Sequence, residues 1–296
     1  MVRLPAPRGI GANLDDAVSR VSAIVQFPHP GAEHVPTGDW MPWNTASHRR
    51  KFMTSTGTVV DREGGGTGAV VNFWGEWEAP SHIVHRWPAA SGLPKVLHRP
   101  CVAEPPKGPR QNTDPWVFGD TFLYSNCKQL NARPLRSPSA LQRLDRGSII
   151  MFGSASRGRF VLDTLLVVGE VAGQFTPADG DLGVDSTFRL CTVDSLTQDD
   201  TATASLTLYR GATPDHPVDG MFSFVPCIEA AETPRRFERP AIHLPGLVNP
   251  TSKQSPSGAK VSRSEAERHA AWEAIVDQVQ AAGLSLAARL TLPSAC

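Results

Sequence analysis

The sequence predicts an α+β fold dominated by a curved antiparallel β sheet or barrel, with peripheral helices and a C-terminal helix. The 26 prolines and 25 glycines favour many short elements joined by turns. Strand-like runs separated by turn residues recur between positions 57 and 230, which is typical of a barrel or a sandwich. A capped amphipathic pattern after position 262 predicts one helix packed on the outside of the sheet.

Length and composition suit a globular protein with a sizeable core. The chain has 296 residues, of which 40% are apolar and 20% charged. We expect one mixed α+β domain with a β-rich core over 1–250, a flexible linker over 251–261, where TSKQSPSGAK lies, and a C-terminal segment over 262–296 whose helix packs on the core.

The five cysteines contain no CxxC pair, so the sequence supports neither a zinc tetrad nor a disulfide framework. The N-terminus lacks the apolar run of a signal peptide, and no apolar segment is long enough to cross a membrane. We therefore expect a reducing, cytoplasmic location and no membrane partner.

The first half of the chain mixes loops with strands. REGGGTG lies between two β-rich runs and is a hairpin signal, while 88–115 is proline-rich, basic and without a clear period. The predicted elements are a helical start over 14–25 that becomes β-like towards Phe27, a loop over 27–52, strands over 57–61, 68–78, 82–87 and 116–127, and a short helix over 138–144.

The second half is predicted to be mainly strands followed by the C-terminal helix. Ser264 and Glu267 form a capping box, and Gly283 ends the helix. The strands are expected over 146–154, 159–171, 187–193, 205–211 and 221–230, and the buried stripe of the helix consists of Trp272, Ile275, Val276 and Val279.

The formal net charge of zero conceals two segments of opposite sign. Residues 86–159 contain twelve Lys and Arg but four acids, a net charge of about +8, and residues 160–232 contain two Arg but twelve acids, about −10. A basic segment of this kind is a hint of a polyanionic partner. Alternatively, the two segments pair with each other in the fold.

The stretch VVNFWGEWE at 70–78 combines strand alternation with an unusual load of side chains. Alternation places Asn72, Trp74, Glu76 and Glu78 on one face, and Val71, Phe73, Gly75 and Trp77 on a plausible core face. The first face is either an ordinary solvent face or the lining of a pocket. An indole beside an amide and an acid would suit a planar ligand such as a nucleobase.

Histidines supply no convincing metal site. His29 and His34 flank a Pro-Gly turn but lack a third ligand, and His82 and His85 point to opposite faces of a strand. We predict no metal and no cofactor.

Three groups of residues are predicted to form one site. The candidate catalytic acids are Glu76, Glu78 and Asp114, although the turn at Asp114 is equally typical of a structural Asx-turn. The candidate base-binding residues are Trp74, Trp43, Asn72, Asn44, Asn112 and Tyr124. The candidate phosphate-binding residues are His48, Arg49, Arg50, Lys51 and Arg110. Cys127 has no neighbouring base in sequence and is interpreted as a small core residue.

RGSIIMFGS followed by RFVLDTLLVVGEV, at 146–171, resembles the paired strands of PUA-like domains of the EVE and YTH type. The resemblance implies a small barrel that holds a modified base in an aromatic cage. It covers these residues only, and no ligand residue of that family is carried over.

These observations predict a protein directed to nucleic acid, most simply DNA, that accommodates a modified or flipped base. One form is a base-excising N-glycosylase, in which an acid would stabilise an oxocarbenium-like state. The other form is a reader that only binds the base. The candidate carboxylates favour the enzyme, because carboxylates repel phosphate and would be a poor choice in a pure reader. The alternatives are a small-molecule enzyme with no nucleic-acid partner, and a structural module whose tryptophans all lie in the core.

Overall fold

The computed structural model describes residues 19–36, 43, 48–132, 136–198, 201–253 and 255–296. The strands are β1 (Ile24–Pro28), β2 (Arg50–Val60), β3 (Gly66–Glu76), β4 (Ser81–Arg86), β5 (Val96–Pro100), β6 (Leu123–Tyr124), β7 (Ile149–Ser156), β8 (Arg159–Phe175), β9 (Leu206–Gly211), β10 (Val225–Glu229), β11 (Ala241–Ile242) and β12 (Ser285–Ala288). The helical elements are a 3₁₀ turn (Ala140–Arg143), α1 (Ser186–Phe188), a π turn (Arg189–Val193), α2 (Asp194–Leu196) and α3 (Glu265–Ala281).

The described strands form two sheets that are mainly antiparallel. One has the order β1-β7-β8-β9-β6, with β11 also paired to β8, and the other has the order β12-β10-β3-β2-β5-β4. The β1–β7 and β2–β5 pairs are parallel, and the other strand pairs of these sheets are antiparallel. The predicted α+β fold with a sheet-rich core is therefore confirmed.

The second sheet closes on itself. β12 pairs with β2 as well as with β10, and β10 and β2 both pair with β3, so these four strands form a ring of pairings. Leu165 and Phe224 exchange backbone hydrogen bonds of 2.9 Å in both directions and join β8 of the first sheet to the chain just before β10. Such pairings cover strand edges that would otherwise be open.

The core lies on both faces of β3. Val71, Phe73 and Trp77 belong to one hydrophobic cluster, as the alternation predicts, and Trp77 packs against Trp116 with ring centroids 5.8 Å apart. Trp74 belongs to a second cluster on the opposite face. Because both faces are covered, Trp74 does not lie on a solvent face.

Helix α3 begins and packs as its sequence predicts. The Ser264 side chain accepts a hydrogen bond from the Glu267 backbone, and the Glu267 side chain accepts one from the Ser264 backbone. The Trp272 indole is 1% exposed and donates to the carbonyl of Phe222 at 3.0 Å. The indole therefore anchors the helix to the sheet without leaving its N–H unpaired.

Two segments depart from the predicted elements. Residues 187–193 are helical and not a strand, and the Asp185 side chain accepts from the Thr187 backbone at their start. A short apolar run cannot by itself distinguish a strand from a buried helical turn. The proline-rich stretch 88–115, for which no element is predicted, contains β5. Val96 and Leu97 of this strand are buried, and the strand pairs with β2 and β4.

The ends of the predicted loop at 27–52 belong to strands, since β1 runs to Pro28 and β2 starts at Arg50. In the segment expected to be a linker, Ser257 exchanges backbone hydrogen bonds with Gln26, and Ala259 is 7% exposed. The predicted flexibility of that segment stays a prediction, as does the division into domains.

Cys101 and Cys296 form a disulfide, so the sequence-based expectation of no disulfide is wrong for this pair. The bond fixes the end of the chain to the residue after β5, and Cys127, Cys191 and Cys227 are free. The cytoplasmic location stays a prediction. Among the helices of the described residues, none combines the length and the apolar character needed to span a bilayer.

Candidate functional site

A cleft of about 860 Å³ lies beside the ends of several distant segments. This volume is within the roughly 300–1,000 Å³ typical of small-molecule sites. Its lining consists of His48, Asn112, Asn126, Cys127, Lys128, Leu130, Asn131, Ala132, Arg136, Ser139, Ala140, Leu141, Leu196, Thr201, Leu206, Ser255, Pro256, Gly258, Ala259, Lys260 and Val261.

The cleft is cationic. His48, Lys128, Arg136 and Lys260 line it, and no Asp or Glu is among its described lining residues. The ion pairs in which both partners are described do not join the basic segment 86–159 to the acidic segment 160–232. Arg157 and Arg159 instead lie near Glu238, which is outside both segments. Two of the cations of the cleft, Lys128 and Arg136, belong to the basic segment.

His48 connects the cleft to a pair of buried carboxylates. Its Nδ1 atom lies 3.2 Å from a carboxylate oxygen of Glu76 and 3.2 Å from one of Glu78. The His48 side chain is 33% exposed, whereas those of Glu76 and Glu78 are 1% and 2% exposed. Although burial acts against the charged imidazole, the neighbouring carboxylates of Glu76 and Glu78 raise the pKa of His48 to about 10.

Glu76 is held by a second set of contacts away from the cleft. Arg50 donates to its Oε2 atom at 2.6 Å, and the His29 Nδ1 atom lies 2.7 Å from the same oxygen. Burial opposes ionisation, but Arg50 and His29 together hold the pKa of Glu76 well below its usual range. Burial lowers the pKa of His29 to about 4, so a neutral imidazole donates to the carboxylate.

Arg50 extends this contact into a buried network. Its Nε atom donates to Asp163 at 3.0 Å, and Asp163 also accepts from Arg239 at 3.1 Å. Removing one member of such a network would leave an uncompensated buried charge, which is strongly destabilising. Arg50 therefore has a structural role.

Asp114 is not a lining residue of the cleft, but it holds in place a segment that forms part of the lining. Its carboxylate is fully buried and accepts the backbone N–H groups of Ser125, Asn126 and Cys127 at 3.0, 2.9 and 2.6 Å. Burial raises the pKa of Asp114 to about 7, although the three backbone donors oppose the shift. These contacts are not a local Asx-turn, since their donors lie 11, 12 and 13 residues along the chain, and they fix the segment that presents Asn126, Cys127 and Lys128.

The aromatic residues predicted to stack a base lie in the core. The Trp74 indole is 5% exposed, packs against Phe52 and Phe237, and donates to the carbonyl of Phe237 at 3.1 Å. Tyr124 stacks on Tyr209 with a centroid separation of 5.7 Å and is fully buried. The expectation that they line a pocket is corrected, because both side chains are buried and neither belongs to the described lining of the cleft.

Trp43 is also buried, at 6% exposure, beneath the Arg110 guanidinium, which lies 5.2 Å from its ring centroid. Neither residue lines the cleft. Asn72 is 1% exposed and donates to the carbonyl of Arg235 at 3.2 Å, so it too lies away from the cleft. Asn44 is outside the described residues.

Of the other predicted residues, Asn112 and His48 line the cleft, and Asn112 donates to the Asn126 side chain at 3.0 Å. Arg49 is exposed and is not in the lining. Arg50 and Lys51 are each 1% exposed, so a phosphate group cannot reach them in this structure. Lys51 donates to the carbonyl of Ala79 at 3.1 Å, and burial lowers its pKa to about 7.

Sequence reasoning did not select the other cations of the cleft. Lys128, Arg136 and Lys260 come from a strand-to-helix connection and from the segment interpreted as a linker. The excess of basic residues over 86–159 was the available signal for the first two. Lys260 is an isolated lysine in a polar stretch, and no pattern in the sequence indicates that it belongs to a site.

Cys127 lines the cleft but is not an activated nucleophile. Burial, together with the charges of Glu76 and Asp114, raises the pKa of its thiol well above the usual range. Among the residues that the structure describes, two groups of side chains could hold a metal ion. They are His48 with Glu76 and Glu78, and His82 with Cys101 and Cys296. The cysteines of the second group are bonded to each other, so they present no thiolates.

No family model, no curated protein and no solved structure matches this chain. The geometry and the charge of the cleft are therefore the basis for inferring a function.

Proposed function

We propose that the protein is directed to nucleic acid and accommodates one flipped or modified nucleotide in the cationic cleft. The observation that supports this proposal most is the composition of the lining, in which the charged side chains among the described residues are bases. Cations that line the cleft would neutralise phosphate oxygens, as in other nucleic-acid sites. The amides of Asn112, Asn126 and Asn131 supply donors and acceptors for a base edge.

The binding form of this proposal is favoured over base excision. A glycosylase needs a carboxylate in reach of the glycosidic bond or of an attacking water. Glu76 and Glu78 are buried behind His48, and Asp114 is occupied by three backbone N–H groups. If the protein released a free base from any modified DNA, the glycosylase form of the proposal would be favoured instead.

The test is the salt dependence of binding to a fluorescently labelled single-stranded oligonucleotide, measured by anisotropy. Arg136→Gln and Lys260→Gln should each weaken binding and each reduce the slope of log K against log salt by about 1. The matched control is Arg99→Gln, because Arg99 is an exposed arginine on β5 outside the cleft lining. Its slope should equal that of the wild type.

Unlabelled mononucleotide distinguishes a nucleic-acid site from a site for a small phosphate-bearing molecule. If the oligonucleotide competes far better than the mononucleotide, the polymer is the ligand. Affinity independent of salt, or an equal loss in the control variant, would contradict the proposal.

A further inference from the structure

The carboxylates of Glu76 and Glu78 converge on the Nδ1 atom of His48 at the base of the cleft. One oxygen of each carboxylate and one nitrogen of the imidazole all lie within 4.8 Å of one another. Nδ1 is 3.2 Å from both carboxylate oxygens. Charge-assisted N–H···O bonds are usually about 2.7–2.9 Å long, so both contacts are long for ion pairs. The other contacts of Glu76, to Arg50 and His29, are 2.6 and 2.7 Å.

One of the carboxylate oxygens also lacks a hydrogen bond. Glu76 Oε2 accepts from Arg50 and His29, but Oε1 is buried with no hydrogen-bond partner among the described residues, even though His48 is near. Leaving a buried anionic oxygen unsatisfied costs free energy. The oxygen lies on the side of the carboxylate that faces the three-residue cluster.

We propose that His48, Glu76 and Glu78 bind one divalent cation of the zinc or manganese class, and that the metal displaces the proton of His48 Nδ1, which is released to solvent. Metal bonds to nitrogen and oxygen ligands are about 2.0–2.2 Å long, which places tetrahedral ligands about 3.4 Å apart and adjacent octahedral ligands about 3.0 Å apart. The separations of 3.2 Å lie between these values. Imidazole together with carboxylates suits zinc and manganese, whereas calcium prefers an all-oxygen shell.

The surroundings are those of a metal site with an open position. His29 and Arg50 contact the Glu76 oxygen that faces away from His48, and they orient the carboxylate as hydrogen-bond partners of metal ligands do in metalloproteins. Asp163 offsets the charge of Arg50. Three protein ligands leave at least one coordination position for water or for a ligand oxygen. Since His48 lines the cleft, that position would face the anion proposed above. The metal proposal does not depend on nucleic-acid binding, and it departs from the absence of a metal expected from the sequence.

The experiment is equilibrium dialysis of the full chain against Zn²⁺ and, separately, Mn²⁺, with the bound metal measured by elemental analysis. We expect one saturable ion per chain with at least one of the two metals. Glu78→Gln keeps the shape of the side chain and should weaken binding by about tenfold or more. Glu104→Gln is the matched control, because Glu104 is an exposed glutamate outside both the cleft lining and the three-residue cluster.

Co²⁺ provides a second measurement, because its visible absorption reports its ligands. The wild-type spectrum should change in His48→Gln and stay unchanged in Glu104→Gln. If Glu78→Gln does not fold, Glu78→Asp replaces it, and binding should still fall because the carboxylate is shorter. Failure of the wild type to bind either metal saturably, or equal affinity in the ligand variants and the control, would overturn the proposal. Dialysis contains no nucleic acid, so its outcome is separate from that of the oligonucleotide experiment.

Discussion

The carboxylate of Asp114 accepts the backbone N–H of Cys127 at 2.6 Å, and it also accepts those of the two preceding residues. One side chain therefore holds the segment from which Asn126 and Lys128 line the cleft. A change at Asp114 is therefore expected to affect both the stability of the fold and the shape of the cleft.

Replacing Asp114 should affect stability first and binding second. Asp114→Ala leaves three backbone donors without their partner, and we expect the free energy of unfolding to fall by about 3 kcal/mol. Asp114→Asn keeps one acceptor oxygen and should cost less. Urea unfolding measures both. A loss of oligonucleotide binding by Asp114→Asn with unchanged stability would instead indicate a direct role of the acid in the site.

Trp74 should behave as a core residue. Trp74→Phe keeps most of the apolar contact with Phe52 and Phe237 but removes the N–H donor to the Phe237 carbonyl. We expect a loss of about 1–3 kcal/mol in unfolding free energy, because that carbonyl loses its partner. Oligonucleotide affinity, measured where the variant is folded, should not change. Weaker binding at full stability would mean that the indole contacts the ligand.

The alternation of β3 could be read from the sequence, but the covering of both of its faces could not. Phe73 and Trp77 occupy the predicted core face. Trp74 was ambiguous because a strand pattern distinguishes two faces without saying what packs on each. In the structure, the second face meets Phe52 and Phe237, and Phe237 is 163 residues away along the chain. Helix α3 was more predictable because its capping box and apolar stripe are local signals.

The environment of the acids in the candidate site also depends on residues that are distant in sequence. The sequence places Glu76 and Glu78 near each other, but the state of Glu76 depends on His29 and Arg50, which are 47 and 26 residues away. These partners turn an apparent surface acid into a buried ionised group. The cations that line the cleft come from segments that only the fold brings together, so charge counting indicated a basic surface without locating it.

His98 should contribute to acid sensitivity. Its ring is fully buried, with Nδ1 3.1 Å from the Ser81 hydroxyl, and burial, assisted by Lys51, lowers the pKa to about 3. Below pH 6.5 the unfolded chain takes up this proton while the folded chain does not, so stability falls as the pH is lowered from about 6.5 towards 3. Between pH 7 and pH 5 the loss assigned to His98 is about 2 kcal/mol.

The check is urea unfolding at both pH values for the wild type and His98→Gln, which cannot titrate but retains a donor and an acceptor. The variant should lose about 2 kcal/mol less than the wild type on acidification. The control is His243→Gln, because His243 is exposed. His34, whose pKa burial lowers to about 4, remains in every variant and shifts all of them alike. Equal losses of unfolding free energy in the wild type and in His98→Gln would show that the buried His98 ring does not cause the acid sensitivity.

The disulfide between Cys101 and Cys296 should stabilise the fold by restricting the unfolded chain. It joins residues 195 positions apart, and because the entropic contribution of a crosslink rises with loop length, we expect up to about 5 kcal/mol. The folded end of the chain also has backbone hydrogen bonds, since Cys296 donates to the Val102 carbonyl and Val102 donates to the Ser294 carbonyl, both at 2.8 Å. Cys296→Ser should therefore fold but unfold at lower urea concentration. Dithiothreitol should lower the midpoint of the wild type to that of the variant and leave the variant unchanged. A midpoint that is insensitive to dithiothreitol in the wild type, with free thiols detected at both positions, would mean that the bond does not contribute in solution.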